Sequence, residues 1–406
     1  MRNKKIRFAK VLLCPFNSDS RSKRECEVVK EAGFDVSIYD TSIEKDDVIE
    51  SIYHHFPTPD KFQGGILKRL GKFLRWAYKL HKGNYDVISA YDISALLISW
   101  LSNFGKSASE KSLLIYDSHE FEYGRHTARA KWISRIVVKI EGFLMKRVVQ
   151  SIMVNETIAE EVQKLHNLPV TPIVCRNVAP YTKIDYKKCL NKREMFFSKA
   201  SKSGKDTKIL MYHGAVVSGR GIEVILETLC ELNNVLFVVL GNGKQEYLET
   251  LDRKIELLQI KDKVLFHPAV PVKNLWEYVG AADIGLVNIE NVSLSYYYSL
   301  PNKLFENIQA GVPIVGSNFP EIEKIIEGYG IGLTCDTSSV DETAKSINKL
   351  LDDNELYALC KYNAIKAKEA LCWEKEKEVL IDFYINIYND IERQSNESNK
   401  RNIMLQ

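Results

Sequence analysis

The sequence predicts an α/β protein built from two doubly wound parallel sheets. Three observations carry this. Its 406 residues suffice for two domains with separate cores. Each half alternates short apolar runs with amphipathic helical stretches, the pattern of βαβ units. Between the halves, residues 179–206 turn polar and lysine-rich, as a linker would. The expected division is residues 1–178, a linker over 179–206, residues 207–372, a terminal helix over 373–393 and a flexible tail over 394–406.

Bulk properties narrow the class. Apolar content of 45% and charged content of 27% are ordinary for a soluble globular protein. No apolar run is long enough to span a bilayer, and Met-Arg-Asn-Lys-Lys leads into a strand rather than a signal peptide. The eight cysteines are scattered without Cys-x-x-Cys spacing, as thiols in a reducing compartment would be. The cytoplasm is the expected location. Net charge is +3, yet residues 1–178 carry about +7 and the rest about −4, an asymmetry that suits an anionic surface as partner.

In the N-terminal half, Arg7–Cys14 reads as a strand, Pro15–Lys23 as a polar loop, Cys26–Gly33 as a helix and Phe34–Tyr39 as the second strand. Asp19-Ser-Arg21 in the loop has the composition of a surface ion pair. Residues Ile66 to Lys82 predict a helix with an apolar stripe of Ile66, Leu70, Phe73, Leu74 and Ala77. Lys68, Lys72, Arg75, Lys79 and Lys82 share its other face, no acid interrupts it, and Trp76 falls at the margin. That composition suits either a helix lying on anionic lipid or one docked on a core with a solvated basic face.

Two further strands, Tyr85–Tyr91 and Leu113–Tyr116, follow. The second runs into Asp117-Ser-His119-Glu120, at the strand end where a doubly wound sheet binds ligand. A basic helix over Ala128–Arg147 is expected to turn Trp132, Ile136, Ile140 and Phe143 or Leu144 inward. A strand over Val148–Val154, a helix opening at Asn155 and a strand over Val170–Val174 lead to Arg176-Asn177-Val178.

The C-terminal half opens with a strand, Lys208–Gly214, then a turn with glycines at 214, 219 and 221, and a helix over Ile222–Leu232. Such glycines let backbone approach a diphosphate, and Arg220 adds a forked cationic donor. The strand Val235–Leu240 ends in Gly241-Asn242-Gly243, too short for a dinucleotide fingerprint. Val264–His267 is a strand, Leu275–Ala281 a helix and Ile284–Val287 a strand. Helices over 341–351 and 354–370 precede the terminal one.

The most informative stretch is Ser299-Leu-Pro-Asn-Lys-Leu-Phe-Glu306, continued by Ala310-Gly-Val-Pro-Ile-Val315 and Pro320-Glu321. Ser299 suits a cap and Pro301 a first helical position. Leu304, Phe305 and Ile308 share one side of the helix, Asn302, Lys303 and Glu306 another. A helix opening attracts phosphate, and a carboxylate farther along can accept from ribose hydroxyls. By periodicity alone, Glu306 would equally suit a water-facing position.

This stretch resembles the donor-site segment of family 4 glycosyltransferases. The resemblance implies the GT-B architecture, two Rossmann-like domains facing across a cleft, with a last helix crossing back to the first domain. It extends along the chain: Asp19-Ser-Arg21 is similar to an Asp-x-Arg after the family's first strand, and Asp117-Ser-His119-Glu120 to its Asp-x-His-Glu, whose histidine lies near the transferred sugar. Arg176-Asn-Val resembles the exit from the first domain, and Gly241-Asn242-Gly243 the Gly-x-Gly turn. Loop residues from His267 and Pro268 onward occupy the place where relatives hold the base.

The resemblance has two gaps. Relatives hold the pyrophosphate with an Arg and a Lys; here Arg220 stands at the Lys position, and Ala215, next to Gly214, at the Arg position. Relatives also carry two glutamates separated by seven residues, the first on the sugar and the second on the ribose. Glu306 is the second, whereas the first falls on Tyr298, as in a Pro-Asn-Lys-Leu-Phe-Glu subset of the family. Sugar contacts are then left to Tyr298, Ser299, Leu300 and backbone.

The implied activity is transfer of a sugar from a nucleotide diphosphate sugar, a UDP-sugar by expectation, to a hydroxyl of a glycan or lipid-linked acceptor. Retention of configuration and a role in surface polysaccharide or glycolipid synthesis go with it. Glu306 would accept from ribose, Arg220 and Lys303 would neutralise the leaving diphosphate, and His119 would touch sugar or acceptor. No metal or nucleic acid is expected, and the Ile66 to Lys82 helix would bring the enzyme to the inner face of the plasma membrane. Ala215 and Tyr298 also suit an impaired subunit that binds glycan or a partner transferase.

Overall fold

The computed structural model describes residues 5–58, 66–124, 131–201 and 206–404. Two compact units emerge. One holds the described residues up to Tyr123, those from 131 through Arg176, and the chain from Lys377; the other holds Gly124 and Asn177–Glu376.

The first unit is a parallel sheet of β1 (Arg7–Val11), β2 (Asp35–Asp40), β3 (His54–Pro57), β4 (Val87–Tyr91), β5 (Leu113–Asp117), β6 (Gln150–Met153) and β7 (Ile173–Val174). Its order is β3-β2-β1-β4-β5-β6-β7. The second holds β8 (Lys208–His213), β9 (Val235–Leu240), β10 (Val264–His267), β11 (Ile284–Val287), β12 (Ile314–Ser317) and β13 (Gly332–Cys335), ordered β10-β9-β8-β11-β12-β13. Both sheets reverse direction of winding beside their first strand, at β1/β4 and β8/β11. Such a switch point opens a crevice at the carboxyl ends of the strands. The strands are nearly continuous apolar runs because helices cover both faces; every residue of β9 is buried.

Four expectations are corrected. The interval 179–206 is not only linker: Tyr186–Lys199 is a helix whose Asp185 side chain caps the amides of Lys187 and Lys188 at 3.1 and 3.3 Å. Phe196 and Phe197 sink into the second unit's core, burial that lysine-rich composition conceals. Asp185→Ala should cost about 1 kcal/mol, read as a lowered urea midpoint with unchanged slope.

The helix Lys131–Met145 is turned opposite to its apolar stripe. Trp132, Ile136, Ile140 and Phe143 are exposed, while Glu141, Leu144 and Met145 are buried. Glu141 determines this, because its carboxylate accepts from the Tyr116 hydroxyl at 2.9 Å and pairs with His166 Nε2 at 3.1 Å. Those partners come from other elements, so periodicity cannot show them.

In the helix Ile66–Gly83, Trp76 is fully buried, not marginal, together with Ala77 and Leu80, while Leu70, Leu74 and Tyr78 face solvent.

The last helix runs from Trp373 to Met404, past Ile391 and through most of the expected tail. No glycine or proline interrupts that stretch, so nothing local ends it. Tyr384 and Tyr388 set ring edges on Phe34, and Tyr384 another on Phe8, which ties this helix to the first unit.

Six of the eight cysteines are buried, and all eight are free thiols. Among the described residues, no helix is long and apolar enough to cross a membrane.

Candidate functional site

In the second unit the carboxyl ends of β8, β9 and β10 lie edge to edge. Gly214 N–H donates to Leu240 O at 3.0 Å and Gly241 N–H to His267 O at 2.9 Å. Gly214 has a φ of 121° and Gly221 one of 70°, the region open to glycine. A Cβ on Gly241 would come within 1.8 Å of Gly214 O, so these turns can close only without side chains. Val216 bridges Gly243, and Gly221 caps the helix Ile222–Thr228.

The helix Asn302–Ala310 points its first turn at the same end of the sheet. Leu304, Phe305 and Ile308 are fully buried in the core and Gly311, at φ 68°, ends it. Lys303 and Glu306 take the opposite side. Glu306 is partly exposed, and its Oε2 accepts from His213 Nε2 at 2.9 Å. His213, at the end of β8, is itself buried.

Lys303 has its ammonium buried over the ring of Tyr212, 3.8 Å from the centroid, with no hydrogen-bond partner among the described residues. Burial, and then the charge of Arg220, push its pKa well below the usual lysine value, against a smaller opposing pull from Glu306. An unpartnered buried cation beside a second cation is an anion-binding arrangement. Arg220 lies over the ring of Tyr296 at 4.8 Å, which orders the guanidinium in the glycine turn.

In the first unit, His119 follows β5 and packs at a tilt of 54° on Tyr91, with centroids 4.0 Å apart. Its Nε2 lies 3.1 Å from Asp117 Oδ2. Asp117 is buried and also receives Lys10 at 3.0 Å and Arg21 at 2.9 and 3.0 Å. Lys10 in turn pairs with Glu25, which accepts from Ser89 at 2.7 Å and from the Tyr384 hydroxyl of the last helix. Burial alone would raise the Asp117 pKa; Arg21 and Lys10 outweigh it and hold the carboxyl well below the usual range.

Residues 193–367 match the family model of glycosyl transferases group 1. The chitobiosyldiphosphodolichol beta-mannosyltransferase of Candida albicans is 24% identical over 326 residues, spanning 74% of this chain and 68% of that one. Among solved structures, sucrose-phosphate synthase from Thermosynechococcus elongatus superposes with a TM-score of 0.73 at 14% identity, over 97% of this chain and all of that one. Anabaena HepE in complex with UDP-glucose superposes with a TM-score of 0.71 at 13% identity, over 93% and 99%. The fold is GT-B.

Within the matched residues, the structure gathers Gly214, Ala215, Arg220, Lys303 and Glu306 around the end of β8 and the start of the Asn302–Ala310 helix. Tyr298, Ser299, Leu300 and Pro301 form the segment leading into that helix. Ser299 does not cap it: its hydroxyl donates back to Tyr296 O at 2.7 Å, and Pro301 takes the cap position. Asn242 is used structurally, its Oδ1 accepting from Ala269 N–H at 3.0 Å. His267 is buried against Phe196 and Tyr278, with Nδ1 2.8 Å from Pro268 O.

His119 lies outside the matched residues, in the other unit. Asp19 and Arg21 make no surface pair. Asp19 caps the helix Ser20–Glu31 through Ser22 N–H, while Arg21 is buried on Asp117. Sequence reasoning missed His213 and Tyr212, which touch Glu306 and Lys303. Their position immediately before Gly214 was the only available signal. Among the described residues, no group of three or more His, Cys, Asp or Glu side chains is placed to hold a metal ion.

Proposed function

We propose that this chain transfers a sugar from a UDP-sugar to a hydroxyl acceptor with retention of configuration, in the synthesis of a surface polysaccharide or glycolipid. The observation that carries the reading is the pair of buried or half-buried charges on one helix. Lys303 offers an unpartnered ammonium, and one turn on, Glu306 keeps a carboxylate oxygen beyond the one that His213 holds. A diphosphate satisfies the first and ribose hydroxyls the second. Arg220 adds charge where the leaving group becomes anionic. In this reading His213 is a positioning residue for Glu306, and His119, oriented by Asp117, meets sugar or acceptor.

HepE, of the same fold, is a protein seen with UDP-glucose, which supports UDP as the nucleotide. Transfer needs no metal in this scheme, because Lys303, Arg220 and backbone amides carry the neutralisation. A cytoplasmic enzyme at the inner membrane face fits a lipid-linked acceptor.

The test is nucleotide protection against thermal unfolding. UDP should protect the wild type better than 2′-deoxy-UDP or 3′-deoxy-UDP does. Glu306→Gln should weaken UDP about 10-fold or more and close that gap, since a charge-assisted hydrogen bond contributes about 1.5–3 kcal/mol. An unchanged gap removes Glu306 from the ribose. A second reading, a subunit that binds nucleotide without turnover, is favoured by Ala215 and Tyr298, where charged partners are missing. Nucleotide protection with no transfer from any UDP-sugar would select it.

A further inference from the structure

The first unit carries a second site, at the amino ends of β5 and β6, whereas His119 follows the carboxyl end of β5. Two pockets meet at Phe104, just past the helix Asp92–Leu101. One, of about 430 Å³, lies between that helix and the helix Ile66–Gly83 and is lined by Leu74, Ala77, Tyr78 and Leu101. The other, of about 580 Å³, is lined by Trp100, Lys106, Lys111, Arg147 and Val149. Phe104 is 58% exposed and forms part of both. The first pocket is mainly apolar and the second gathers three cations.

Lys106 is the unusual member. Its Nζ is buried with no hydrogen-bond partner among the described residues, and burial lowers its pKa despite Glu110 and Asp86 nearby. Glu110 does not reach it, because its carboxylate is bound by the Ser107 amide and hydroxyl at 3.1 and 2.7 Å. Arg147 is held over Phe143 at 3.5 Å, and Trp100 packs edge-on to both Phe104 and Phe143. The basic pocket thus adjoins the outward stripe of the helix Lys131–Met145: Trp132, Ile136, Ile140 and Phe143.

Exposed charge is one-signed on the two helices that flank the pockets. The helix Ile66–Gly83 has no acid, and the helix Lys131–Met145 only the buried Glu141. Exposed apolar side chains rimmed by lysine and arginine suit the boundary of an anionic bilayer. A cation pocket joined to an apolar groove fits one amphiphile, with head and tail in adjoining compartments.

We propose that this face docks on a bilayer and that the Lys106, Lys111 and Arg147 pocket takes the phosphate of an anionic phospholipid, its acyl chain passing Phe104 toward Leu74 and Tyr78. The site is separate from the nucleotide-binding residues. Its lipid is a docking ligand, not the acceptor.

Sedimentation with vesicles tests it. Wild-type protein should partition onto phosphatidylcholine vesicles containing phosphatidylglycerol, and far less onto phosphatidylcholine alone. Lys106→Met with Lys111→Met should weaken the former about 30-fold, each cation near an anionic surface being worth roughly fivefold. Ile136→Ser with Ile140→Ser should reduce partitioning while leaving UDP protection intact, which shows that the variant is folded. Wild-type-like partitioning of the double lysine variant would overturn the proposal. So would thermal protection by inorganic phosphate equal to that by the vesicles, which would make this a free-anion site.

Discussion

Lys303→Met is expected to cut transfer from a UDP-sugar about 10²–10³-fold, the usual cost of losing one preorganised donor to a developing charge. The same substitution should stabilise the nucleotide-free protein. Lys303 is buried with no acceptor among the described residues, and Arg220 repels it. A methionine of similar shape removes that cost, roughly 1–2 kcal/mol if it resembles other replacements of buried charge. A rise in melting temperature with a loss of kcat/KM is the signature of a site strained for function.

The pH dependence follows from the direction of the shift. The folded-state pKa of Lys303 lies well below 10.5, so the unfolded chain binds more protons between the two values. Stability of the nucleotide-free protein therefore rises with pH through that window. A bound diphosphate favours the ammonium, so UDP affinity should fall as pH climbs through the same window. Lys303→Met should flatten both trends. Isothermal titration in two buffers of different ionisation enthalpy would show proton uptake on UDP binding in the wild type and none at this residue in the variant.

Asp117→Ala is expected to cost about 3–5 kcal/mol, because it takes the carboxylate from the buried Arg21 and leaves the buried Lys10 with Glu25 alone. In a unit of this size that lowers the melting temperature by about 10 °C or more. Asp117 is held well below 3.8, a depressed folded-state value. Its contribution is therefore complete above the unfolded value and is lost as pH falls through the folded one. Wild-type and variant melting curves should converge in strong acid and separate above about pH 4. Nitrogen chemical shifts of His119 give a readout that stability alone would not move, since the Asp117 hydrogen bond selects its tautomer. Equal melting temperatures would mean that the cluster around Asp117 is not the keystone of this unit.

The residues that made the site legible were local ones. Pro301 through Glu306, Gly311, and the glycines at 214, 219 and 221 sit at fixed short spacings, so their backbone roles follow from the chain alone. Where a role depended on a remote partner, periodicity failed. Glu141 turned a helix over because Tyr116 and His166 wait inside. Phe196 and Phe197 made a helix of apparent linker. Arg21 went to Asp117 and not to Asp19, two residues away.

By itself the sequence determined two parallel α/β units, the glycine turn after β8, and a helix with Lys303 and Glu306 on one side. Each of these depends on spacing within a few residues, where backbone geometry leaves few choices. The tertiary structure decided which faces are buried and which charges meet. It set His213 against Glu306, Tyr212 beneath Lys303, and the Asp117 cluster among five elements. Those pairings join residues far apart in the chain, and their energies depend on burial that no single segment encodes.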